Sequence, residues 1–280
     1  MIEHGALDRL ASSTMTGPML LTRPLLRIYI LSCQGLDKGV DMVHELYIVS
    51  GGMERRAVLI TGATRGLGLA IAEVLAPDYD LLIGGRDLGT TQRVADGFPS
   101  ARPFACDLSD PEATKHAVTQ LARLDAVVHS AGVTNRDRVE DLTAQEWFRV
   151  LNLNLVGVAE LTRLLLPQLR ASRGHVVTIN GGLGLHSGAG WAVYAASKFG
   201  LRAFTDALRE EERGTIKVTS LHPGRIDTEM QQEIYEAEGR RYDPADHLAP
   251  SSVARAVKYA LEAGDEAVVE MLQIRPKAVG

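Results

Sequence analysis

Tyr194 and Lys198 stand four residues apart in the run Trp191 to Arg213, whose apolar spacing is helical. Residues at i and i+4 share a helix face, so the ammonium lies beside the phenol. A free phenol ionises near pH 10, too high for easy proton exchange at neutrality. A neighbouring cation favours the phenolate and makes such a tyrosine a usable general acid or base. A second group of residues suits a different task. Thr61-Gly62-Ala63-Thr64-Arg65-Gly66-Leu67-Gly68 follows a short apolar run, Ala57–Thr61, and opens a helical pattern from Gly66 to Ala76. Glycines there let the backbone turn tightly against a pyrophosphate, while the helix start offers free N–H groups and a positive dipole end. The spacing is Gly-x-x-x-Gly-x-Gly, not the commoner Gly-x-Gly-x-x-Gly.

Positioning these residues requires a scaffold, and the rest of the chain reads as one. Short apolar runs recur at Leu81–Gly84, Pro103–Ala105, Asp125–His129, His175–Asn180, Ile216–His222 and Ala267–Leu272. Helical patterns separate them at Leu88–Gly97, Pro111–Leu121, Ala144–Ser172, Trp191–Arg213 and Ser251–Ala263. Short runs that are apolar on both faces suit buried parallel strands. Their alternation with helices predicts an α/β fold: a Rossmann-type, doubly wound parallel sheet of about seven strands in a single domain. The polar stretch from Thr228 to Pro250 follows the sixth run, where an open α/β sheet binds ligands. Met230, Ile234 and Tyr235 within it could form an apolar cover.

Along this pattern the chain resembles the short-chain dehydrogenase/reductase family from about residue 56 to 275. The resemblance is carried by the glycine loop, by Cys106-Asp107-Leu108, by His129-Ser130-Ala131-Gly132, by Asn152-Leu153-Asn154-Leu155-Val156-Gly157, by Tyr194-x-x-x-Lys198, and by Pro223-Gly224 with Ile226 and Thr228. His129 and Ser130 replace two asparagines of the family pattern. The resemblance implies an oxidoreductase in which Tyr194 is the acid/base, Lys198 tunes it and holds the nicotinamide ribose, and Asn154 bends its helix and supports a proton relay. It implies cofactor contacts from Gly62, Thr64, Arg65, Gly66, Leu67 and Gly68 at the phosphates. Asp107 and Leu108 would lie near the adenine, Ser130, Ala131 and Gly132 after the fourth strand, and Pro223, Gly224, Ile226 and Thr228 at the nicotinamide end.

Charge selects the cofactor. The second strand ends Gly84-Gly85-Arg86, and Arg86 with Arg65 offers planar forks suited to a 2′-phosphate. NADP(H) is therefore expected. Asp87 is the residue that would reverse this choice if its carboxylate faced the ribose.

One catalytic residue is out of pattern. The family carries Ser or Thr thirteen residues before the tyrosine, and that position here is Gly181. Losing one such hydrogen-bond donor costs roughly 10²–10³ in rate. Strand alternation turns Asn180 to the other face. His186, Ser187, a water or a one-residue shift of the strand end could replace the hydroxyl, and a serine restored at 181 is expected to raise turnover. Trp191 and His186, with Gly181, are expected to line the substrate pocket.

Composition narrows the rest. The 280 residues are 45% apolar and 23% charged, with a net charge of −5, which disfavours a nucleic-acid binder. Cys33 and Cys106 are too few for a disulfide framework and suit a reducing, cytoplasmic setting. No His/Cys spacing fits a metal site. The Met19–Leu31 stretch is interrupted by Arg23, Pro24 and Arg27, so no membrane span is expected there. Residues 1–52 read as a leader that precedes the folded part, 53–280, with a docking arm or targeting segment as alternatives. The expected activity is NADPH-dependent reduction of a small ketone or aldehyde, or the reverse alcohol oxidation, by a homodimer or homotetramer as the family resemblance implies. The alternative is an NADP(H)-binding sensor or scaffold that lost turnover with its serine.

Overall fold

The computed structural model describes residues 26–28, 48–50 and 55–277. The chain divides into two units, Met1–Glu54 and Arg55–Gly280. In the first, β1 (Leu26–Ile28) pairs antiparallel with β2 (Ile48–Ser50). The remainder of the expected leader lies outside the described residues.

The second unit is built on β3 (Arg56–Thr61), β4 (Tyr79–Gly85), β5 (Ala101–Ala105), β6 (Ala126–His129), β7 (His175–Ile179), β8 (Lys217–Pro223) and β9 (Met271–Ile274). They form one sheet, ordered β5-β4-β3-β6-β7-β8-β9, with every pair parallel. The period-2 alternation of strand side chains divides the core in two. Val58, Ile60, Leu81, Ile83, Val128 and Val177 face one layer, which contains α1 (Gly66–Leu75), α2 (Leu88–Ala95) and α8 (Pro250–Leu261). Leu59, Leu82, Val127, Val176 and Val218 face the other, which contains α3 (Pro111–Thr119), α5 (Gly157–Ser172) and α6 (Ala192–Glu211). The predicted Rossmann-type architecture is the one observed.

Local chemistry sets the element starts. Asp87 caps α2, accepting from the Thr90 amide at 2.8 Å. Asp110 caps α3, with Pro111 in the first turn. α4 (Ala144–Leu151) begins on Thr143 in the same way.

Most element ends shift by one or two residues from expectation, and three departures are larger. The helix read as Ala144–Ser172 is interrupted by a π-helical turn at Asn152–Val156, between α4 and α5. This run is long and apolar enough to cross a membrane by length and composition. Its Val158, Leu161, Leu165 and Leu169 are buried in the sheet-packed core, however, so that apolarity serves packing. The stretch after β8, read as loose, contains α7 (Glu229–Ala237), with Ile234 and Tyr235 buried. The last strand begins at Met271, four residues later than the apolar run suggested. As an edge strand it needs only an alternating half-exposed pattern, which a search for continuous apolarity misses.

Candidate active site

All seven strands of the larger sheet point the same way, so their C-terminal ends form one edge. A cavity of 660 Å³ opens there. Its floor is the turn from β3 into α1. Gly62 and Gly66 adopt φ of +65° and +53°, which favours glycine. The turn is packed closely: a Cβ on Gly62 would stand 2.8 Å from Ala131 Cα, and one on Gly68 would stand 2.2 Å from the Gly62 carbonyl oxygen. Thr61 joins the neighbouring strand end, its Oγ1 accepting from the Ser130 and Ala131 amides at 3.0 Å. Arg65, the N-cap residue of α1, makes no side-chain capping bond among the described residues. The first N–H groups of the helix are left for an anion, as a pyrophosphate-binding turn requires.

The expected cofactor residues Gly62, Thr64, Arg65, Gly66, Leu67, Gly68, Arg86, Leu108, Ser130, Ala131, Gly132, Pro223, Gly224, Ile226 and Thr228 all line this cavity. Asp107 does not. Its carboxylate accepts from the Ser109 amide and hydroxyl at 2.9 and 2.6 Å, a local turn, while Cys106 and Leu108 on either side face the cavity. Beyond β4, Arg86 lines the cavity and Asp87 does not. Asp87 is engaged by the Thr90 amide and by its hydroxyl at 2.7 Å, and these bonds hold its pKa below the ordinary aspartate value.

Tyr194, Lys198, Gly181, His186 and Trp191 line the same cavity. Lys198 Nζ lies 5.8 Å from the Tyr194 ring centre and donates to the Ile179 carbonyl at 2.8 Å. Part of Tyr194 faces the cavity, yet enough protein surrounds it that burial pushes its phenol up to about 12. Burial also brings Lys198 down to about 8. These shifts oppose the one anticipated from an adjacent cation. A phenol raised in this way stays protonated at neutral pH, which is the form a general acid needs.

Asn154 lies beneath the cavity, fully buried in the π-helical turn. Its Oδ1 accepts from the Val133 amide at 2.9 Å. Its Nδ2 donates to the Val133 carbonyl at 2.8 Å and to Ser197 Oγ at 3.1 Å. It ties the segment after β6 to α6 one residue from Lys198. π turns of this kind are frequent at functional sites.

Gly181 has φ +71° and ψ +171°, a region used almost only by glycine. A Cβ there would meet nothing within 4 Å, so space is ample but the backbone excludes a side chain. His222 helps hold this conformation. Its Nδ1 lies 3.0 Å from the Gly181 carbonyl and its Nε2 lies 2.7 Å from Ser220 Oγ. Asn180 points away from the cavity into the core, donating to Ser220 Oγ at 2.7 Å and Thr178 Oγ1 at 3.2 Å. The expectation that a serine at 181 would restore a donor meets this backbone first.

The sequence reading missed Arg136, Arg240 and Arg275, which line the cavity near Trp191, Tyr235 and Gly182. Arg275 was recoverable in principle, because it is the first residue past the last strand. The misplaced start of β9 hid it.

The short chain dehydrogenase family model matches residues 56–239. The chain belongs to that family. Among its relatives, an oxidoreductase of Staphylococcus saprophyticus is 28% identical, over 80% of this chain and 96% of the relative. Dehydrogenase/reductase SDR family member 7B of Bos taurus is 31% identical, over 83% of this chain and 78% of the relative. Among solved structures, an alcohol dehydrogenase from Thermococcus sibiricus complexed with 5-hydroxy-NADP superposes with a TM-score of 0.72 at 25% identity, over 80% of this chain and 97% of that one. The seven-stranded sheet and its cleft are thus those of a short-chain oxidoreductase.

Proposed function

We propose that this short-chain dehydrogenase uses NADPH to reduce a ketone or aldehyde on a small molecule, or catalyses the reverse oxidation. One observation carries the reading. A single cavity holds the uncapped glycine turn, Arg65 and Arg86 beside it, and the Tyr194–Lys198 pair. The glycine turn and the α1 amides would hold the cofactor pyrophosphate. Arg86 and Arg65 would hold a 2′-phosphate, and the capping role of Asp87 removes the carboxylate that would oppose it. The 5-hydroxy-NADP bound in the Thermococcus sibiricus structure supports the same choice. NADPH, when bound, supplies the hydride for the carbonyl carbon. Tyr194 Oη donates the proton to the carbonyl oxygen, and Lys198 and Asn154 hold the tyrosine helix and its surroundings in place. Phe148, Val156 and Phe199 are exposed on α4, the π-helical turn and α6, which suits self-association into a dimer or tetramer.

The test joins binding to turnover. Fluorescence titration should show NADPH binding more tightly than NADH, and Arg86→Ala should remove most of that difference. NADPH oxidation across a carbonyl panel should disappear in Tyr194→Phe. Tighter NADH binding would end the NADP assignment. The Gly181 backbone favours one second reading, a nucleotide-binding sensor without turnover; NADPH binding with no oxidation on any carbonyl would select it.

A further inference from the structure

The end of the cavity near Tyr194 carries an excess of positive charge. Arg136 lies over the Trp191 ring at 4.8 Å and is paired with Glu238. Arg240 stacks on Tyr235 at 4.4 Å and pairs with the same carboxylate at 2.9 Å. One carboxylate therefore serves two guanidinium groups. Arg275 adds a third cation. Among the described residues, its side chain has no hydrogen-bond or ion-pair partner.

Arg275 is also placed where its charge matters. Its stem passes the β8 end: a Cβ on Gly224 would stand 3.4 Å from Arg275 Cδ. Its guanidinium reaches Gly182, where a Cβ would stand 2.7 Å from Nη1 and 3.4 Å from His186 Cε1. The glycine leaves the room that the guanidinium takes. Gly182 directly follows Gly181, so the free donors of Arg275 arrive beside the position that lacks a hydroxyl. A guanidinium cannot give up its proton near neutrality, and it presents a planar fork that matches two carboxylate oxygens.

We propose that Arg275 receives a carboxylate on the substrate, so that the chain acts on oxo acids and their hydroxy-acid products in preference to neutral carbonyl compounds. This rests on the reductase reading above. The carboxylate docks on Arg275 with Arg136 and Arg240 adding positive field behind it. The carbonyl then lies toward Tyr194, and docking the anion supplies orientation that the missing hydroxyl does not.

Matched pairs test this: 2-oxobutanoate against its methyl ester, and acetoacetate against its methyl ester. NADPH oxidation is measured for the full chain and for Arg275→Leu and Arg275→Lys. Calorimetry measures binding of each acid to protein saturated with NADP+. The expected result is a preference for acid over ester in kcat/KM that falls by about 10- to 100-fold in Arg275→Leu, the range for loss of a charged hydrogen bond, with partial recovery in Arg275→Lys. Acid binding should weaken in parallel. Thermal unfolding of each variant controls for folding. Equal use of acid and ester, or an acid-to-ester ratio that Arg275→Leu leaves unchanged, overturns the proposal while leaving the reductase reading standing. Acid binding that depends on Arg275 without oxidation of any compound keeps the carboxylate site and removes the reductase reading. Absence of acid binding together with absence of oxidation of any compound removes both.

Discussion

At Gly181 the backbone adds what residue type and spacing do not carry. The spacing from Tyr194 locates the missing hydroxyl, but composition carries no dihedral angle. With φ +71° and ψ +171°, the position is closed to a side chain by its own backbone, although nothing crowds it. Gly181→Ser is therefore expected to destabilise the fold by about 1–3 kcal/mol and to leave turnover no higher. Denaturant midpoints and steady-state rates measure the two effects, and a stable, faster variant would contradict this account. Asp87 is the converse case. The sequence leaves its direction open between ribose and solvent, and the helix that begins after it decides the matter by claiming its carboxylate as a cap. A capping signal three residues before a threonine amide is visible in a sequence, but only once the helix start has been fixed.

At the scale of elements, the strands and most helices were legible because buried parallel strands are continuously apolar and helices repeat on a different period. Interruptions were not. The break between α4 and α5 arises where Asn154 turns its amide group inward to the Val133 backbone and Ser197, a long-range contact that no local window holds. Asn154→Ala would leave the Val133 N–H and carbonyl without their partner in a buried setting. The expected loss is about 2–6 kcal/mol, since each of the two stranded groups costs about 1–3. Urea unfolding at neutral pH would measure it. A change under about 0.5 kcal/mol, the size of a neutral surface substitution, would mean the π-helical turn stands without this side chain. α7 escaped notice for a related reason. Its sequence, Glu229 to Ala237, is mostly polar, and only Ile234 and Tyr235 are buried.

For the whole molecule, two buried histidines contribute to the dependence of stability on pH. His129 ends β6 against Thr162 Oγ1 at 2.9 Å, and His175 opens β7 against Thr219 Oγ1 at 2.7 Å. Burial lowers the pKa of each to about 3. The unfolded chain binds a proton at each near pH 6.5, while the folded chain does not until about pH 3. Stability is therefore complete above pH 6.5 and falls as pH drops from there toward 3. At pH 5 the two together should cost about 4 kcal/mol, about 2 each. The melting temperature of the wild type should fall more steeply between pH 7 and 5 than that of a His129→Asn/His175→Gln variant. Parallel curves would refute the assignment.

The sheet has a second consequence. β9 lies at the edge, hydrogen-bonded on one side to β8 alone and half exposed along its length. Its amides should open to solvent more readily than those of the central strands, where exchange demands disruption of the core. Arg275 hangs from the end of this edge strand. An anion captured there would stitch the edge to the cleft, and its arrival would be recorded as slowed hydrogen exchange in Met271–Ile274, at a site where no chemistry takes place.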